Sequence, residues 1–328
     1  MGAAVRVLGT GSFVPERVLT NADFERMVDT SDEWIVSRTG IRERHVLSDG
    51  EKNSDMAVQA GYNALQAAHL GPEALDHIIV CTFTADTLVP SCACVVQHRL
   101  DAVNAAAVDL SAACTGYISG LAHGAALVAS GQAGHVLVIA SEALSRVTDY
   151  QDRSTCVLFG DGAGAAVLAA DGAEGHRLGD FYLRADGSRG EQLCIPAGGS
   201  ALPASAQTVA ERLHYLKMNG REVFKFAVTK IIELIEGAAE RLGIKPGEID
   251  LVIPHQVNQR IIQAATERLE MREEQFFCNL ERYGNTSATS TAIALDEAAR
   301  GGRIRPGDVV VLLAFGAGFT WGSATLKW

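Results

Sequence analysis

"VLFGDGAGAAVLAA" at residues 157–170 and "LLAFGAGFTWGSATL" at residues 312–326 share one build: a strand, a glycine loop and a second strand. A second matched pair is "ALDHIIVCTFT" (74–84) and "EIDLVIPHQVN" (248–258), each an acidic turn leading into an apolar strand. The period is far longer than that of any solenoid repeat, so a duplicated domain explains it better. The boundary falls in "AADGAEGHRLGD" (169–180), giving one half at residues 1–172 and another at residues 173–328. "IPAGGSALPASAQ" (195–207) reads as a loop inside the second half.

Outward from these repeats, strand and helix alternate. "HIIVCTF" (77–83), "AAAVDL" (105–110), "HVLVIAS" (135–141), "TCVLFG" (155–160), "LVIPH" (251–255) and "VVVLLAFG" (309–316) are short apolar or β-branched runs, with helical stretches such as "SDMAVQAGYNALQAAHLG" between them. Near-continuous apolar strands separated by helices indicate the α/β class, with mainly parallel sheets covered on both faces. From Ala112 to Ser130 no side chain is fully charged, a length that matches a bilayer crossing. The stretch is mostly Ala, Gly and Ser with His123 inside, which reads as a helix buried at the centre of a large protein.

With 328 residues, 48% hydrophobic and 20% charged, the chain is globular and has a sizeable core. A net charge of −11 argues against a nucleic-acid or anionic-membrane partner bound by the whole surface. Seven cysteines, an odd number without regular spacing, read as reduced thiols in a cytoplasmic protein. "MGAAVRVLGTGSFVPERV" reaches charge and proline too soon for a signal peptide.

Four stretches carry groups able to do chemistry. In "DLSAACTGYISGL" (109–121), Cys114 follows a strand and opens a helix, where unpaired N–H groups and the positive dipole end favour thiolate, the nucleophilic form. A free cysteine is more often a small buried hydrophobe, so position alone is suggestive. His255 in "IPHQVNQRIIQAATERL" stands at the end of a strand, where crevices form in open α/β sheets, with Asn258 nearby as a polar group able to meet a ligand. Asn285 in "RYGNTSATSTAIALDEAARGG" is either a ligand group or only a helix cap. "LLAFGAGFTWG" is a glycine-broken strand that can aim backbone N–H groups at an oxyanion, or an ordinary bulged hairpin. Together these supply a nucleophile, an imidazole, a carboxamide and a donor loop, all at strand ends or helix starts.

"TSDEWIVSRTGIRERH", "DLSAACTGY", "FGDGAGAAVL", "NGREVFKFAV", "PHQVNQRII", "RYGNTSATS" and "FGAGFTW" resemble, in order and over essentially the whole chain, the β-ketoacyl-acyl-carrier-protein synthase III enzymes of the thiolase superfamily. The resemblance implies a homodimer with the five-layered αβαβα thiolase fold, its two halves related by a pseudo-twofold axis. It implies an acyltransferase that initiates type II fatty-acid synthesis. An acyl-CoA starter, acetyl or short and branched, primes Cys114, and malonyl-acyl-carrier protein then loses CO2 and attacks the Cys114 thioester. His255 and Asn285 would donate to the malonyl thioester oxygen, and the Cys114 and Ala317 N–H groups would form a second oxyanion hole. No metal or redox cofactor is implied; acyl-CoA and carrier protein are substrates.

Carried over by position, Trp34 and Arg153 would sandwich the CoA adenine and Arg38 would meet its phosphates. Thr30 belongs to the same CoA set and would also cap Trp34's helix in a Thr30–Glu33 box; Gly220 and Asn258 would hold the pantetheine arm. Lys225, Arg260 and Arg268 match positions of carrier-protein docking, a basic patch on an acidic enzyme. Val89 stands where some members place an aromatic that enters the partner subunit's acyl pocket, and the smaller side chain leaves room for longer or branched starters. Leu144 and Phe159 would line that pocket, and Ala317 replaces the commoner glycine.

Rival readings are weaker. "VLGTGSFVP" lacks the third glycine of a dinucleotide loop and runs into Pro15 rather than a helix. Cys92, Cys94 and His98 match no zinc spacing. A cysteine hydrolase would use Cys114 and His255, but the small-residue helix suits a narrow tunnel better than an open cleft. A non-catalytic homologue would be expected to lack one of the trio. The alternative that remains is a starter or acyl-transfer ketosynthase of a polyketide or other secondary-metabolite pathway.

Overall fold

The structure, a computed structural model, describes residues 4–170, 172 and 175–328. The first half comprises β1 (Val5–Phe13), α1 (Asn53–Ala67), β2 (His77–Cys81), α2 (Cys92–Arg99), β3 (Ala106–Leu110), α3 (Gly116–Ala129), β4 (His135–Glu142) and β5 (Gly162–Ala170). The second comprises β6 (His176–Ala185), α4 (Gly220–Leu242), β7 (Leu251–Pro254), α5 (Gln259–Leu269), α6 (Thr289–Arg300), β8 (Val309–Gly316) and β9 (Thr320–Lys327). The strands hydrogen-bond in the order β7-β8-β9-β6-β1-β5-β4-β2-β3. Each half repeats one sequence of neighbours: β3-β2-β4-β5-β1 in the first is matched by β7-β8-β9-β6 in the second, where Phe276 bridges Val252 in the place β3 takes beside β2. Residue 173, where the second half was expected to begin, lies outside the described residues.

Among the described residues, the two half-sheets pair only where Val5–Val7 of β1 meet Leu178–His176 of β6. Beyond that ladder they face each other across α3 and α6. Strand periodicity shows how, because successive side chains point to opposite faces. Val136 and Val138 of β4, with Val310 and Leu312 of β8, pack onto Leu121 and Ala125 of α3 and Ala292 and Leu295 of α6. The alternate residues Leu137 and Ile139 are covered by α1 and α2, and Val311 and Leu313 by α4 and α5. Helix, sheet, helix, sheet, helix: the fold has five layers.

Helix α3 can lie at the centre because its residues are small. A Cβ on Gly120 would stand 2.4 Å from Cys81 Sγ and 2.9 Å from Val138 Cγ1, so one methyl there would push helix and sheet apart. This close approach accounts for the uncharged Ala112–Ser130 run, and no helix among the described residues is long and apolar enough to cross a membrane.

Two expectations need correction. The sheet is mixed rather than mainly parallel: β2–β3, β2–β4 and β7–β8 are parallel, whereas β5 and β9 run antiparallel to their neighbours. Three residues join β8 to β9, far short of the crossover a parallel pair needs. The expected strand at 155–160 is instead a helical turn, Arg153–Cys156, followed by a loop. Asp152 imposes the turn by accepting from the Ser154 N–H at 2.9 Å and the Thr155 hydroxyl at 2.8 Å.

Candidate active site

Strand β3 ends at Leu110, and the chain reverses into α3 through a 3₁₀ turn, Ala113–Thr115, that holds Cys114. Ala113 takes a left-handed φ of 44°, as does Ser287 at 55°, so unfavourable backbone conformations flank the thiol on two different loops. The end of β8 presses on it from a third side, where a Cβ on Gly316 would lie 2.6 Å from Cys114 Cβ. His255 follows β7, tied to β8 by its N–H donating to Leu313 O at 2.8 Å. Asn285 is fixed by a bridge to the loop after the Arg153–Cys156 turn: its N–H donates to Leu158 O at 2.8 Å and its carbonyl accepts from Gly160 at 3.0 Å.

These elements bring Cys114, His255, Asn285 and Ala317 onto the wall of one mostly apolar tunnel of about 120 Å³. Burial pushes the Cys114 thiol up to about 11, although the Ser287 hydroxyl, donating at 3.5 Å, and the Ala317 and Cys114 N–H groups pull the other way. Thiolate is therefore not favoured at rest: the desolvation cost exceeds the helix-terminus effect expected from sequence. The same two N–H groups lie near the sulfur, in the neighbourhood where the oxyanion of a Cys114 thioester would form. Burial lowers His255 to about 3, so the imidazole is neutral. Its Nδ1 lies 2.7 Å from Ser290 Oγ, and Phe315 meets the ring edge-on at 6.0 Å. The Asn285 side-chain oxygen accepts the Ser287 N–H at 2.8 Å, which leaves the amide nitrogen as the free end, a donor.

Leu144 and Phe159 form one apolar cluster with Leu216, and all three line the tunnel. Gly220 and Asn258 line the tunnel. Asn258 is largely occupied within its own chain: Oδ1 caps α5 by accepting from Arg260 N–H, and Nδ2 donates to Arg38 O, both at 2.9 Å. Trp34, Arg38 and Arg153 are grouped outside the tunnel lining, with the Arg153 guanidinium 4.5 Å and the Arg38 guanidinium 5.9 Å from the indole centroid. The helix cap is Ser31, not Thr30: its hydroxyl accepts from Trp34 N–H at 3.1 Å. Thr30 Oγ1 is buried without a hydrogen-bond partner.

Val89 does not line this chain's tunnel; it stands 85% exposed beside Leu88 at 94%. Lys225, Arg260 and Arg268 are all exposed, the first on α4 and the others on α5, which pack together. Sequence reasoning missed Ser287 and Ser290, whose "NTSATS" setting read as helix capping, and Leu216 and Phe224 of the tunnel wall. It also missed Arg44, fully buried, which donates to Val157 O and to Asn21 Oδ1, while Asn21 donates to Asp32 at the start of Trp34's helix. That chain ties the Trp34 helix to the loop bearing Phe159.

The C-terminal model of 3-oxoacyl-[acyl-carrier-protein] synthase III matches residues 239–328, and its companion synthase III model matches residues 108–187. A β-ketoacyl-[acyl-carrier-protein] synthase III of Caldanaerobacter subterraneus is 52% identical over 99% of this chain and 98% of its own. The crystal structure of 3-oxoacyl-[acyl-carrier-protein] synthase III from Aquifex aeolicus superposes with a TM-score of 0.90 at 44% identity, covering 99% of this chain and 100% of that one. The priming β-ketosynthase of the R1128 polyketide pathway matches at 35% identity with a TM-score of 0.90, over 99% of this chain and 96% of that one.

Proposed function

This chain belongs to the 3-oxoacyl-[acyl-carrier-protein] synthase III family, and on that premise we propose that it initiates fatty-acid synthesis by joining an acyl-CoA starter to malonyl-acyl-carrier protein. It is an acyltransferase-class condensing enzyme with the thiolase fold. The observation that carries the reading is the meeting of Cys114, His255 and Asn285 in one apolar tunnel, whose wall Ala317 also joins.

In the first half-reaction the Cys114 sulfur attacks the acyl-CoA carbonyl carbon. The N–H groups of Cys114 and Ala317 hold the oxyanion, the C–S bond to CoA breaks, and CoA thiolate leaves with the proton that Cys114 gave up. In the second, the malonyl group loses CO2 and the electron pair moves onto its thioester oxygen. That enolate is held by a hydrogen bond from Asn285 Nδ2 and another from His255. Its carbon attacks the acyl-Cys114 carbonyl, and collapse of the intermediate expels the Cys114 thiolate and leaves 3-oxoacyl-carrier protein. The dry tunnel makes each donor worth about 3–4 kcal/mol to the transition state. Because His255 is neutral, it stabilises the enolate without protonating it outright.

Trp34 and Arg153 touch in this structure, so an adenine would part them and replace their cation–π contact with stacking on both faces. Arg38 beside the indole would face the phosphates, and Thr30, Gly220 and Asn258 would line the path of the pantetheine arm. Lys225, Arg260 and Arg268 offer the cationic surface an acidic carrier protein needs. The unpaired edge β3, with Val108 51% exposed, would join a second copy and bring its Val89 to the acyl pocket of Leu144 and Phe159. Neither metal nor redox cofactor enters this scheme, and acyl-CoA and carrier-protein substrates support a cytoplasmic location.

The test is intact mass after incubation with acetyl-, isobutyryl- and octanoyl-CoA, then with malonyl-carrier protein, using Cys114→Ala as control. A Cys114-dependent adduct that disappears as 3-oxoacyl product forms supports the reading; no adduct from any acyl-CoA rejects it. The likeness to the polyketide priming enzyme supports a second reading, distinguished by which carrier protein discharges the adduct.

A further inference from the structure

Ser290 sits on α6, buried, and belongs to none of the roles above. Its hydroxyl oxygen lies 2.7 Å from His255 Nδ1, accepts the Gln256 N–H at 3.2 Å, and is 2.9 Å from Ser287 O. A hydroxyl has one proton to give. With Gln256 N–H already donating to the oxygen, that proton goes either to His255 Nδ1 or to Ser287 O. The two choices produce different imidazoles. If Ser290 donates to Nδ1, the ring proton must be on Nε2. If Ser290 donates to Ser287 O, Nδ1 keeps the ring proton and Nε2 is left with a bare lone pair. A neutral histidine carries only one ring proton, so the choice decides whether His255 donates or accepts in the tunnel.

We propose that Ser290 is a positioning residue for the condensation chemistry, donating to His255 Nδ1 and so keeping the proton on Nε2, where it can meet the malonyl thioester oxygen. The proposal rests on the functional reading above, which requires His255 to be a donor. Local hydrogen bonding permits it at no cost. Ser287 O loses nothing essential, because the Ser290 backbone N–H already donates to it at 3.2 Å. The His255 contact is also the shorter of the two. Ser290 thereby touches both halves of the site: His255 through its hydroxyl, and the Ser287 loop, whose own hydroxyl donates to Cys114, through its backbone.

The experiment labels histidine with ¹⁵N and reads the protonated ring nitrogen of His255 in the full-length enzyme, assigned with His255→Ala. Acyl transfer to Cys114 and malonyl-carrier-protein decarboxylation are measured separately in wild type, Ser290→Ala and Ser290→Thr. Expected are an Nε2-protonated ring in wild type and a shift of the proton toward Nδ1 in Ser290→Ala. Decarboxylation should fall at least ~10-fold more than acylation does, yet less than the ~10²–10³-fold loss from removing a donor outright. Ser290→Thr, which keeps the hydroxyl, should restore both readouts. An Nδ1-protonated wild-type ring would overturn the proposal, as would an unchanged tautomer in Ser290→Ala or equal loss in both half-reactions. A wild type that neither acylates nor decarboxylates would reject the functional reading instead, and the ring assignment would still decide whether Ser290 donates to His255 Nδ1 or accepts from it.

Discussion

Gly316→Ala tests how tightly the nucleophile is held. Gly316 ends β8 and its backbone needs no special conformation, so alanine meets no φ penalty there. The obstacle is space: the added Cβ would stand 2.6 Å from Cys114 Cβ and 2.8 Å from its Sγ, where ordinary contact begins at 3.4 Å. The two must separate by about 0.8 Å at Cβ and about 0.6 Å at sulfur. Cys114 cannot yield freely, because its turn is set by Ala113 on one side and α3 on the other, and β8 is an interior strand of the sheet. Overpacking of this size costs ~1–3 kcal/mol, which a core of this extent tolerates. The chemistry is less forgiving, since a ~1 Å misplacement of a reacting group can cost ~10²-fold. The variant should unfold only slightly below wild type by calorimetry while its rate of Cys114 acylation, followed by intact mass, falls ~10- to 100-fold. A folded Gly316→Ala enzyme that acylates within ~2-fold of wild type would show that β8 does not position the sulfur, and would refute the argument.

Three further outcomes follow from buried titratable groups. Because Cys114 is pushed up to about 11, its labelling by iodoacetamide, read against Cys114→Ala, should climb ~10-fold per pH unit from 7 to 9; a plateau near pH 8.5 would show that burial does not govern the thiol. Burial raises Glu142 to about 8 despite hydrogen bonds from Thr84, Phe83 and Thr82, so the folded state holds its proton over a window where the unfolded chain, near 4.5, has lost it. Its stabilising proton is thus fully present below about 4.5 and lost as pH rises through about 8; Glu142→Gln should flatten the decline of Tm from pH 5 to 8, and parallel curves would contradict this. Asp149 is held well below the usual carboxylate range, chiefly by Arg212, with Lys217 also in contact at 3.3 Å, and Leu216 of the tunnel wall lies between those two partners in sequence. Asp149→Asn should loosen this segment by ~1 kcal/mol, seen as several-fold faster proteolysis between 198 and 217 and altered starter preference; unchanged cleavage would dismiss the latch.

The fold was legible because repetition and periodicity are local. The unit at 312–326 is a strand, a glycine turn and a strand as expected, whereas its expected counterpart at 157–170 forms only the second strand, and near-continuous apolar runs such as Val309–Gly316 marked strands apolar on both faces. The mixed strand directions were not legible, since direction depends on whether a connection has room to cross over, as the three-residue link to β9 does not. "TCVLFG" misled because its apolar content has no period of its own, and one hydrogen-bonding side chain, Asp152, turned the segment helical.

Residue type and position at strand ends offered Cys114, His255 and Asn285 only as candidates, because nucleophile, imidazole and carboxamide are properties of side chains; the family resemblance singled them out. Their protonation was a different matter. Helix-end placement argued for thiolate at Cys114, yet the thiol is raised and the imidazole lowered, because desolvation depends on every layer packed around the tunnel. Ser287 and Ser290 likewise carried only a capping signal in sequence; the loop before α6 brings Ser287 to the sulfur and α6 brings Ser290 to His255, across separations of 173 and 35 residues. The sequence by itself determined which groups are available and where strands and helices bear them. Only the tertiary structure decided which groups face each other, how dry their surroundings are and therefore which proton each one holds, since electrostatic free energy is set by neighbours and burial rather than by chain order.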